Sequence, residues 1–531
     1  SGKRAEHLLL NKPVFKSGKE AIVWNLKYAF ELLNSGNAHG AIKEIETFLK
    51  DFDGSDEEKI RIPQFKSLYE LLAVAYLRHG ENENCVANHN AQSCILPLKG
   101  KAIHVKRNGS QQAMHYYSLL LDVYPDDIQL RWLFNIAAMT LGDFPQGVPE
   151  KFRIDFAAAD TKVPGFTPLF NAATDLGVDV KGLSGAGIIE DFNGDGFMDV
   201  FASSYGIQDN VTLFFSDGKG GFINVTDSAQ LRGITGGLNA KQADFNNDGF
   251  MDILLLRGAW LDEGGEWPNS LLRNNGDGTF SDVTFAAGMG SSFYPTETAT
   301  WADVNNDGWV DVFIANENND KNAHPCELFI NNGDGTFTDK AKDWGMDGNF
   351  GYAKAANFAD FNNDGWMDLF LGCLGQPNYL FMNRGKQPNG ELKFENIASK
   401  AGVTLPNMSF PAIVVDFDHN GYPDILSTSF PLDRLDHVAQ DVGEEMLGIS
   451  NKVEKTKLFL NQGNETFKEV SKEWNIDKMI FAMGFNSGDL NNDGWIDVYA
   501  GTGAFAFTTL APNRVFLNRA GKGFDEVTMS S

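Results

Sequence analysis

The amino-acid sequence predicts a mainly β protein, a β-propeller, preceded by an α-helical region at the N-terminus. Three observations support this prediction. A nine-residue acidic segment occurs six times after residue 190, strand-like pieces accompany its copies, and helical periodicity is confined to the residues before 142. Four antiparallel strands repeated radially are the unit of a β-propeller.

The acidic segment is represented by Asp360–Asp368, of sequence DFNNDGWMD. Oxygen-bearing side chains stand at its positions 1, 3, 5 and 9, and glycine stands at position 6, where it permits a sharp turn of positive φ. Ca²⁺ takes about six to eight oxygen ligands, which this spacing supplies when the backbone carbonyl of position 7 takes part. An EF-hand would require flanking helices, whereas these flanks are strand-like. The segments are therefore predicted to be calcium-binding hairpin loops.

The predicted calcium ligands are the side chains at these four positions, and we expect about five to six Ca²⁺ per chain. The fifth copy departs most from the pattern, because it contains His419 and Pro423. The ligands in chain order are Asp191, Asn193, Asp195, Asp199, Asp244, Asn246, Asp248, Asp252, Asp303, Asn305, Asp307, Asp311, Asp360, Asn362, Asp364, Asp368, Asp416, Asp418, Asn420, Asp424, Asp489, Asn491, Asp493 and Asp497.

The chain of 531 residues has a formal net charge of -27, which argues against nucleic acid or an anionic membrane surface as its main partner. The loops account for part of this acidity. No apolar run reaches the length of a membrane span. Loops of this kind fill at extracellular calcium concentrations, so we expect an exported protein whose signal peptide has been removed. Ser1-Gly2 fits either a tag remnant or a processed, lipid-anchored terminus.

The N-terminal region, residues 1–141, is predicted to be helical. Its periodicity indicates a helix-turn-helix over residues 19–51 around Asn34–Asn37, a helix over Ser67–His79 and a last helix over Leu130–Leu141. This pattern resembles tetratricopeptide (TPR) repeats. The resemblance implies a groove for a peptide or partner, and the alternative is a cap that packs on the β region. Residues 142–165, which are rich in proline, are predicted to form a linker.

An insertion, residues 81–109, interrupts the helical pattern. It contains Cys85, His89, Cys94 and His104. A local disulfide between Cys85 and Cys94 is the simpler prediction, and a zinc or copper site built from the four residues is the alternative.

From residue 166 to residue 531 the acidic segments recur at intervals of 53 to 73 residues. In the second unit, strands are predicted over 241–244, 252–256, 270–274 and 280–284, with a hairpin turn at Asn274–Thr279. This region resembles the FG-GAP/VCBS repeats of integrin-type propellers, most closely at Phe350-Gly351-Tyr352-Ala353. Together with the helical region, it is similar to the cartilage acidic protein and ASPIC/UnbV group. The resemblance implies the fold and calcium, but it does not define an activity.

The number of blades is open at this stage. Residues 166–177 align with the fourth strand of the repeat, although they precede the first strand of the first unit in the chain. Six full units follow. Either the ring has six blades and one surplus strand, or it has seven blades and the seventh unit lies outside these residues. The second interpretation is favoured.

The connections from second to third and from fourth to first strands are long and dissimilar, and loop variation on a rigid scaffold is typical of binding. We call the side of the ring that carries them the variable-loop face. His324 and Cys326 suit a transition-metal or catalytic role, or else burial or a disulfide to Cys373. Trp309, Trp366 and Trp495 are predicted to pack between blades. The candidate ligand residues on this face are Arg257, Trp260, Trp267, Tyr294, His324, Cys326, Cys373 and His437.

The sequence contains no hydrolase elbow, phosphate-binding loop, zincin helix or dinucleotide fingerprint. The favoured function is a calcium-stabilised binding or scaffold component at a bacterial cell surface or in the periplasm, with a protein or glycan partner. One alternative is an enzyme, either a polysaccharide lyase or hydrolase or a transition-metal enzyme, that uses Arg257, Tyr294 and His324. Another is a structural subunit of an outer-membrane assembly.

Overall fold

The computed structural model describes residues 2–86, 90, 92–93, 96–156, 160–164, 166–167, 169–318, 323–504 and 506–529. Within these ranges a helical region precedes six four-stranded antiparallel sheets arranged as propeller blades. The helices are α1 (Gly2–Leu10), α2 (Gly18–Asn34), α3 (Ala38–Lys50), α4 (Asp56–Ile60), α5 (Pro63–Glu81), α6 (Asn108–Val123), α7 (Ile128–Leu141), α8 (Ala173–Leu176), α9 (Ala398–Ala401) and α10 (Val438–Met446).

Local sequence signals fix the ends of these helices. Ser17 caps α2 by accepting a hydrogen bond from the Glu20 amide at 3.2 Å, and Ser55 forms a capping box with Glu58 at α4. Gly142 ends α7 in the left-handed conformation, at a φ of 72°. The helices α2 to α7 bury one common apolar core. The predicted helices are thus present, and the assignment to TPR repeats stays a prediction.

Each blade contains four strands in chain order from one edge of the sheet to the other. Blade 1 contains β1 (Gly187–Glu190), β2 (Asp199–Ala202), β3 (Thr212–Ser216) and β4 (Phe222–Asn224), and blade 2 contains β5 (Asn239–Ala243), β6 (Asp252–Leu256), β7 (Ser270–Asn274) and β8 (Phe280–Asp282). Blade 3 contains β9 (Thr296–Ala302), β10 (Asp311–Asn316), β11 (Glu327–Asn331) and β12 (Phe337–Asp339), and blade 4 contains β13 (Tyr352–Ala359), β14 (Asp368–Leu374), β15 (Tyr379–Lys386) and β16 (Leu392–Asn396). Blade 5 contains β17 (Ser409–Val415), β18 (Asp424–Ser429), β19 (Lys457–Asn461) and β20 (Phe467–Glu469), and blade 6 contains β21 (Ala482–Gly488), β22 (Asp497–Thr502), β23 (Arg514–Asn518) and β24 (Phe524–Glu526).

The acidic loops join the first and second strands of every blade, as the sequence predicts. Position 9 of each loop is the first residue of the second strand. The aromatic residue at position 7 covers a glycine of the hairpin between the third and fourth strands of its own blade. At Gly333, for example, a Cβ atom would lie 2.9 Å from the indole nitrogen of Trp309. These tryptophans therefore pack largely within their own blade, although Trp495 also stacks on His419 of blade 5 at 4.0 Å.

Neighbouring blades from 1 to 6 pack through apolar clusters. The residue that follows position 9 points toward the preceding blade and is completely buried in blades 2 to 6. At four of these interfaces, the phenylalanine at position 2 of one loop also contacts a phenylalanine of the next blade's fourth strand, as Phe192 contacts Phe280 with ring centroids 5.9 Å apart. The residues after position 9 are Ile253, Val312, Leu369, Ile425 and Val498.

A buried asparagine links each of these blades to the one before it. The backbone N–H of Asn331 donates to Asp311 of its own blade at 2.8 Å, and its side-chain amide donates to the carbonyl of Phe245 in the preceding blade at 2.7 Å. Four other asparagines at the same place in the repeat make the same two contacts. They are Asn274, Asn383, Asn461 and Asn518.

The helical region packs on the variable-loop face, against blades 5 and 6. The indole N–H of Trp132 in α7 donates to the carbonyl of Leu510 at 2.7 Å, and the Arg78 side chain donates to the carbonyl of Phe507. Helix α10, within the insertion of blade 5, packs on α7. One apolar cluster includes helical residues together with Phe430 and Phe481 of the propeller.

The two stretches between the helices and blade 1 differ from the sequence predictions. Within residues 142–165, predicted as a linker, Val148, Phe152, Ile154 and Phe156 are buried against the helical core. Within residues 166–177, predicted as a fourth strand, the described residues form no strand, and Ala173–Leu176 form the short helix α8. Phe166 instead packs through its side chain on the apolar cluster of Val515, Leu517 and Val527 in blade 6. In the described part of the chain, no helix combines the length and the apolar character that crossing a membrane requires.

Replacement of Asn331 tests the link between blades. In Asn331→Ala the buried carbonyl of Phe245 loses its donor, so we expect the free energy of unfolding to fall by about 1 to 3 kcal/mol. The adjacent Asn332→Ala, whose side chain is exposed, serves as the control and should have little effect. Urea denaturation followed by tryptophan fluorescence measures both. Equal losses in the two variants would contradict the assignment of Asn331 as a blade connector.

Candidate functional site

The acidic loops share one hydrogen-bond pattern, which the loop of blade 4 illustrates. The Asp360 carboxylate accepts hydrogen bonds from the amides of Asp364 at 3.0 Å and Gly365 at 2.8 Å, and Asp364 accepts from the amide of Trp366 at 2.9 Å. Gly365 has a φ of 87°. The turn thus brings the carboxylates of positions 1 and 5 to its inner side, where cation ligands are required.

The aspartate at position 9 joins the loop to the rest of its blade. Asp368 is buried, and its carboxylate accepts hydrogen bonds from the amide of Phe361 at 2.9 Å and from the amide of Asn383 at 2.8 Å. The same two contacts occur in all six blades. This carboxylate therefore fixes the position of the loop relative to the third strand.

Burial raises the pKa of the position 9 carboxyl groups, and the neighbouring carboxylates raise it further. These carboxylates stand at positions 5 and 1, or at positions 3 and 1 in blade 5, where Asn420 occupies position 5. The backbone amides that donate to them act in the opposite direction. A cation among these carboxylates would offset their mutual repulsion. The resulting pKa is about 7 for Asp252, Asp311 and Asp424, about 8 for Asp368 and about 6 for Asp497, and it is raised also for Asp199.

Two loops offer oxygen atoms that suit a cation directly. In blade 5, oxygen atoms of Asp416, Asp418 and Asp424 lie within 4.8 Å of one another, a spacing compatible with ligands on one Ca²⁺. In blade 3, the side-chain oxygen of Asn305 is buried and has no hydrogen-bond partner in the described part of the chain. The residues present therefore fit a hard cation. The blade 5 loop, the least regular in sequence, brings its carboxylates together most clearly.

On the variable-loop face, two of the candidate ligand residues are held by structural contacts. Arg257 is buried and donates to the carbonyls of Thr235 and Pro268, each at 2.7 Å. Trp260, at a φ of 68°, packs its ring against Phe410. Neither side chain is directed to solvent.

The Trp260 ring also covers a buried charge cluster. The Lys354 ammonium lies 3.6 Å from the centroid of this ring, donates to Glu297 at 2.8 Å and makes a short contact with Glu317. Burial raises the pKa of Glu297 to about 7, although Lys354 opposes the shift. Sequence analysis missed Glu297, because it lies inside strand β9 and no motif marks it.

The remaining candidates do not form one site. His324 is buried, with its ring 5.4 Å from that of Tyr294 and its Nε2 atom 3.5 Å from the carboxylate of Glu266. Trp267 is exposed and donates its indole N–H to the carbonyl of Gly264, within its own loop. His437 is exposed and precedes α10. The structure thus brings Tyr294 and His324 together but leaves Arg257, Trp267 and His437 in separate contacts.

Cys326 and Cys373 are free thiols buried between blades 3 and 4. The disulfide alternative for this pair is therefore wrong, and the alternative of burial holds. Burial raises the pKa of Cys326 to about 12 and also raises that of Cys373, so neither is a reactive thiolate. Cys94 and His89 lie outside the described residues. The predicted disulfide between Cys85 and Cys94 and the alternative metal site therefore stay predictions. Cys85 lies 3.4 Å from the ring of His104.

Comparisons with known proteins agree with this architecture, a six-bladed propeller with acidic loops. The FG-GAP-like repeat model matches residues 191–255, 259–314, 303–371, 360–427 and 441–500, more than half of the chain. The chain therefore belongs to the FG-GAP repeat family.

Among curated proteins, cartilage acidic protein 1 of Xenopus tropicalis is 36% identical over 110 residues, or 21% of this chain and 16% of that protein. The human protein of the same name is 34% identical over 110 residues, or 21% of this chain and 15% of that protein. The chain thus matches less than a fifth of the length of these relatives. The Vibrio cholerae biofilm matrix protein Bap1 has a solved structure with a TM-score of 0.26 at 13% identity, covering 54% of this chain and 39% of that one.

Removal of Lys354 tests the buried charge cluster. Lys354→Met leaves two buried carboxylates without their cation, so we expect a loss of about 3 to 5 kcal/mol of stability at pH 8. The loss should be smaller at pH 5, because Glu297 then binds a proton and its charge no longer needs a partner. Urea denaturation at both pH values measures this, with the exposed Lys468→Met as control. A loss that does not change between pH 5 and pH 8 would contradict this account of the cluster.

Proposed function

We propose that this protein is an exported, calcium-stabilised propeller that acts as a binding or scaffold component at a cell surface or in the periplasm. The observation that carries the proposal is the repeated acidic loop. Its position 9 aspartate connects a metal-ligand set to the third strand of the blade, and through the asparagine to the preceding blade. Calcium bound to the loops would thus stabilise the whole ring.

The proposed ligands are the side chains at positions 1, 3, 5 and 9 of the loops, with the carbonyl of position 7. They would hold about five to six Ca²⁺, which would neutralise carboxylates that are otherwise crowded. Loops of this kind fill at the calcium concentrations outside the cytoplasm, which supports export. A lipid anchor and an additional transition metal are not part of the proposal, because no contact among the described residues favours them.

The binding role is proposed for the variable-loop face. The helical region, proposed to consist of TPR-like hairpins over residues 1–141, packs on this face at blades 5 and 6. Among the described residues in the loops of blades 1 to 3, Trp260 joins the same apolar cluster through Phe410, whereas Trp267 and Phe293 are exposed. The proposed partner is a protein or a glycan. In a second version of this binding role, the partner is another subunit of an outer-membrane assembly. The enzyme alternative is not part of this proposal, because the Arg257 side chain binds the carbonyls of Thr235 and Pro268 and no contact among the described residues joins it to Tyr294 or His324.

Substitutions of Asp418 test the calcium loops. Position 3 is asparagine in the five other predicted sites, so Asp418→Asn should keep the calcium of blade 5. Asp418→Ala should lose about one Ca²⁺ per chain and lower the melting temperature by a few degrees in millimolar calcium. Elemental analysis per chain and calorimetry measure both effects. The control is Asp343→Ala, an exposed residue outside the loops, which should leave the calcium content unchanged.

Two results would contradict the calcium proposal. One is a chain that holds fewer than two Ca²⁺ after dialysis in calcium. The other is a melting temperature that does not respond to a chelator.

The binding role is tested with a glycan array and with co-purification from the cell envelope, each in calcium and in chelator. We expect retention of a defined partner in calcium, weakened by Trp267→Ala and unaffected by substitution of an exposed residue on the opposite face, such as Lys219→Ala in the hairpin between β3 and β4. Binding that is insensitive to Trp267→Ala and to other loop substitutions in blades 1 to 3 would show that this face is not the binding surface.

A further inference from the structure

The charge cluster beneath Trp260 combines one buried amine with two buried carboxyl groups. The side chains of Lys354, Glu297 and Glu317 are 0%, 8% and 3% exposed. If all three were ionised, the cluster would carry one uncompensated negative charge in the interior, which is unfavourable. Ion pairing alone therefore leaves part of this arrangement unexplained.

Two β-bulges bring the amine and one of the carboxyl groups together. The pairing of β9 with β10 shifts its register at Glu297, and the pairing of β13 with β14 shifts its register at Lys354. Both residues stand six positions before the first aspartate of the acidic loop in their blade. A bulge redirects the extra side chain, and bulges are common beside active sites. The two side chains meet between neighbouring first strands, where the Lys354 Nζ atom lies 2.8 Å from the Glu297 carboxylate.

The second carboxyl group, that of Glu317, is held from both sides. The backbone N–H of Glu317 donates to the carbonyl of Pro295 at 2.8 Å, and the residue forms a β-bridge with Tyr352 of blade 4. Its Oε1 atom contacts the Nζ atom of Lys354, and its Oε2 atom accepts a hydrogen bond from the backbone N–H of Trp260 at 2.8 Å. An amine and a carboxyl group are thus fixed in contact, which is the condition under which a reaction between them is accelerated.

Trp260 supplies both a hydrogen-bond donor and a cover. Its φ of 68° is uncommon for a bulky residue, and such conformations are concentrated at functional sites. Its N–H is directed to Glu317 Oε2, where negative charge would develop if the carboxyl carbon were attacked. Its ring covers the Lys354 Nζ atom at 3.6 Å, and the Phe410 ring lies 5.8 Å from the same atom. Exclusion of water favours the neutral amine and the neutral carboxylic acid over the two ions.

We infer that Lys354 and Glu317 form an intramolecular amide bond that joins blades 3 and 4, with Glu297 as the group that transfers the proton. A proton first passes from the ammonium to the Glu317 carboxylate. The Nζ lone pair then attacks the Cδ atom of Glu317, so that the C–N bond forms and an electron pair moves to Oε2. Glu297 takes a proton from the nitrogen and gives it to the Oε1 hydroxyl. This group leaves as water when the C–O bond breaks and the carbonyl forms again.

The net reaction converts one amine and one carboxylic acid into one amide and one water, so it needs no oxidant or reductant. It removes an ammonium and a carboxylate from the interior, and Glu297 is the ionisable member of the cluster that remains. Burial raises the pKa of Glu297 to about 7, so this group can take and return a proton near neutral pH. The ion pairs described above are the reactant state of this step. The inference does not rest on the proposed function.

Mass spectrometry of the full-length chain tests the cross-link. After folded protein has been kept near neutral pH, we expect the denatured chain to weigh one water molecule less than its sequence. Trypsin should no longer cleave after Lys354, and a branched peptide should join this residue to Glu317, 37 positions away. A mass that still equals that of the sequence after prolonged incubation would overturn the inference, and so would a cross-link between other residues.

Two substitutions separate the amine from the proton carrier. Lys354→Met removes the nucleophile, so its mass should equal that of its sequence. Glu297→Gln keeps the size of the side chain but cannot carry the proton, so in freshly translated protein the mass deficit should form at least about tenfold more slowly. Circular dichroism shows whether each variant is folded, and the unsubstituted chain decides the existence of the bond by itself. A deficit that forms in folded Glu297→Gln at the unsubstituted rate would contradict the role of Glu297.

Lys66→Met is the matched control. The Lys66 ammonium also contacts two carboxylates, those of Glu70 and Asp127, each at 2.9 Å, but these three side chains are between 24% and 31% exposed. Water hydrates the charges there, so we expect ion pairs and no amide. Lys66→Met should therefore show the same mass deficit as the unsubstituted chain. Loss of the deficit in this variant would place the reaction outside the cluster beneath Trp260 and overturn the inference.

Discussion

The structure depends on the buried aspartate at position 9 of each acidic loop. Its carboxylate accepts an amide of its own loop and an amide of the third strand, and it is one of the proposed metal ligands. The asparagine that donates to it, or a serine in blade 1, occupies the end of the third strand, and in blades 2 to 6 the asparagine also donates to the preceding blade. In these five blades the proposed metal site, the blade and the ring are thus connected through two side chains per repeat. A carboxylate that is buried beside other carboxylates is unfavourable when no group donates hydrogen bonds to it. This explains why these loops combine acidic residues with amide residues.

Much of the fold could be predicted because its signals are local. The strands of blade 2 agree with the predicted ranges to within two residues, since alternating apolar residues and the Asn274–Thr279 turn define them. The confinement of helices to the first 141 residues also holds, apart from the short α8, α9 and α10. These three lie in connections, where tertiary contacts rather than periodicity decide the conformation.

The variable-loop face could not be predicted in the same way. Arg257 and Trp260 look like ligand-binding residues in sequence, yet each makes contacts in the interior. Arg257 donates hydrogen bonds to backbone carbonyls, and the ring of Trp260 covers the ammonium group of Lys354. Glu297 and Lys354 belong to different blades and are separated by 57 residues, so no local pattern connects them. Likewise, Val148 to Phe156 appear to be a linker because of the neighbouring prolines, but their apolar side chains pack on helices that precede them in the chain.

The apolar cluster that unites the helices with Phe430 and Phe481 has a consequence for how the protein can be divided. A boundary drawn near residue 142 or 166 separates two patterns in the sequence, but it passes through one continuous interior. Cutting the chain there would place aromatic rings of blades 5 and 6 in water and leave α7 without its partner α10. The propeller and the helical region therefore share one apolar interior, and an isolated propeller would expose an apolar surface that the helices cover in this chain.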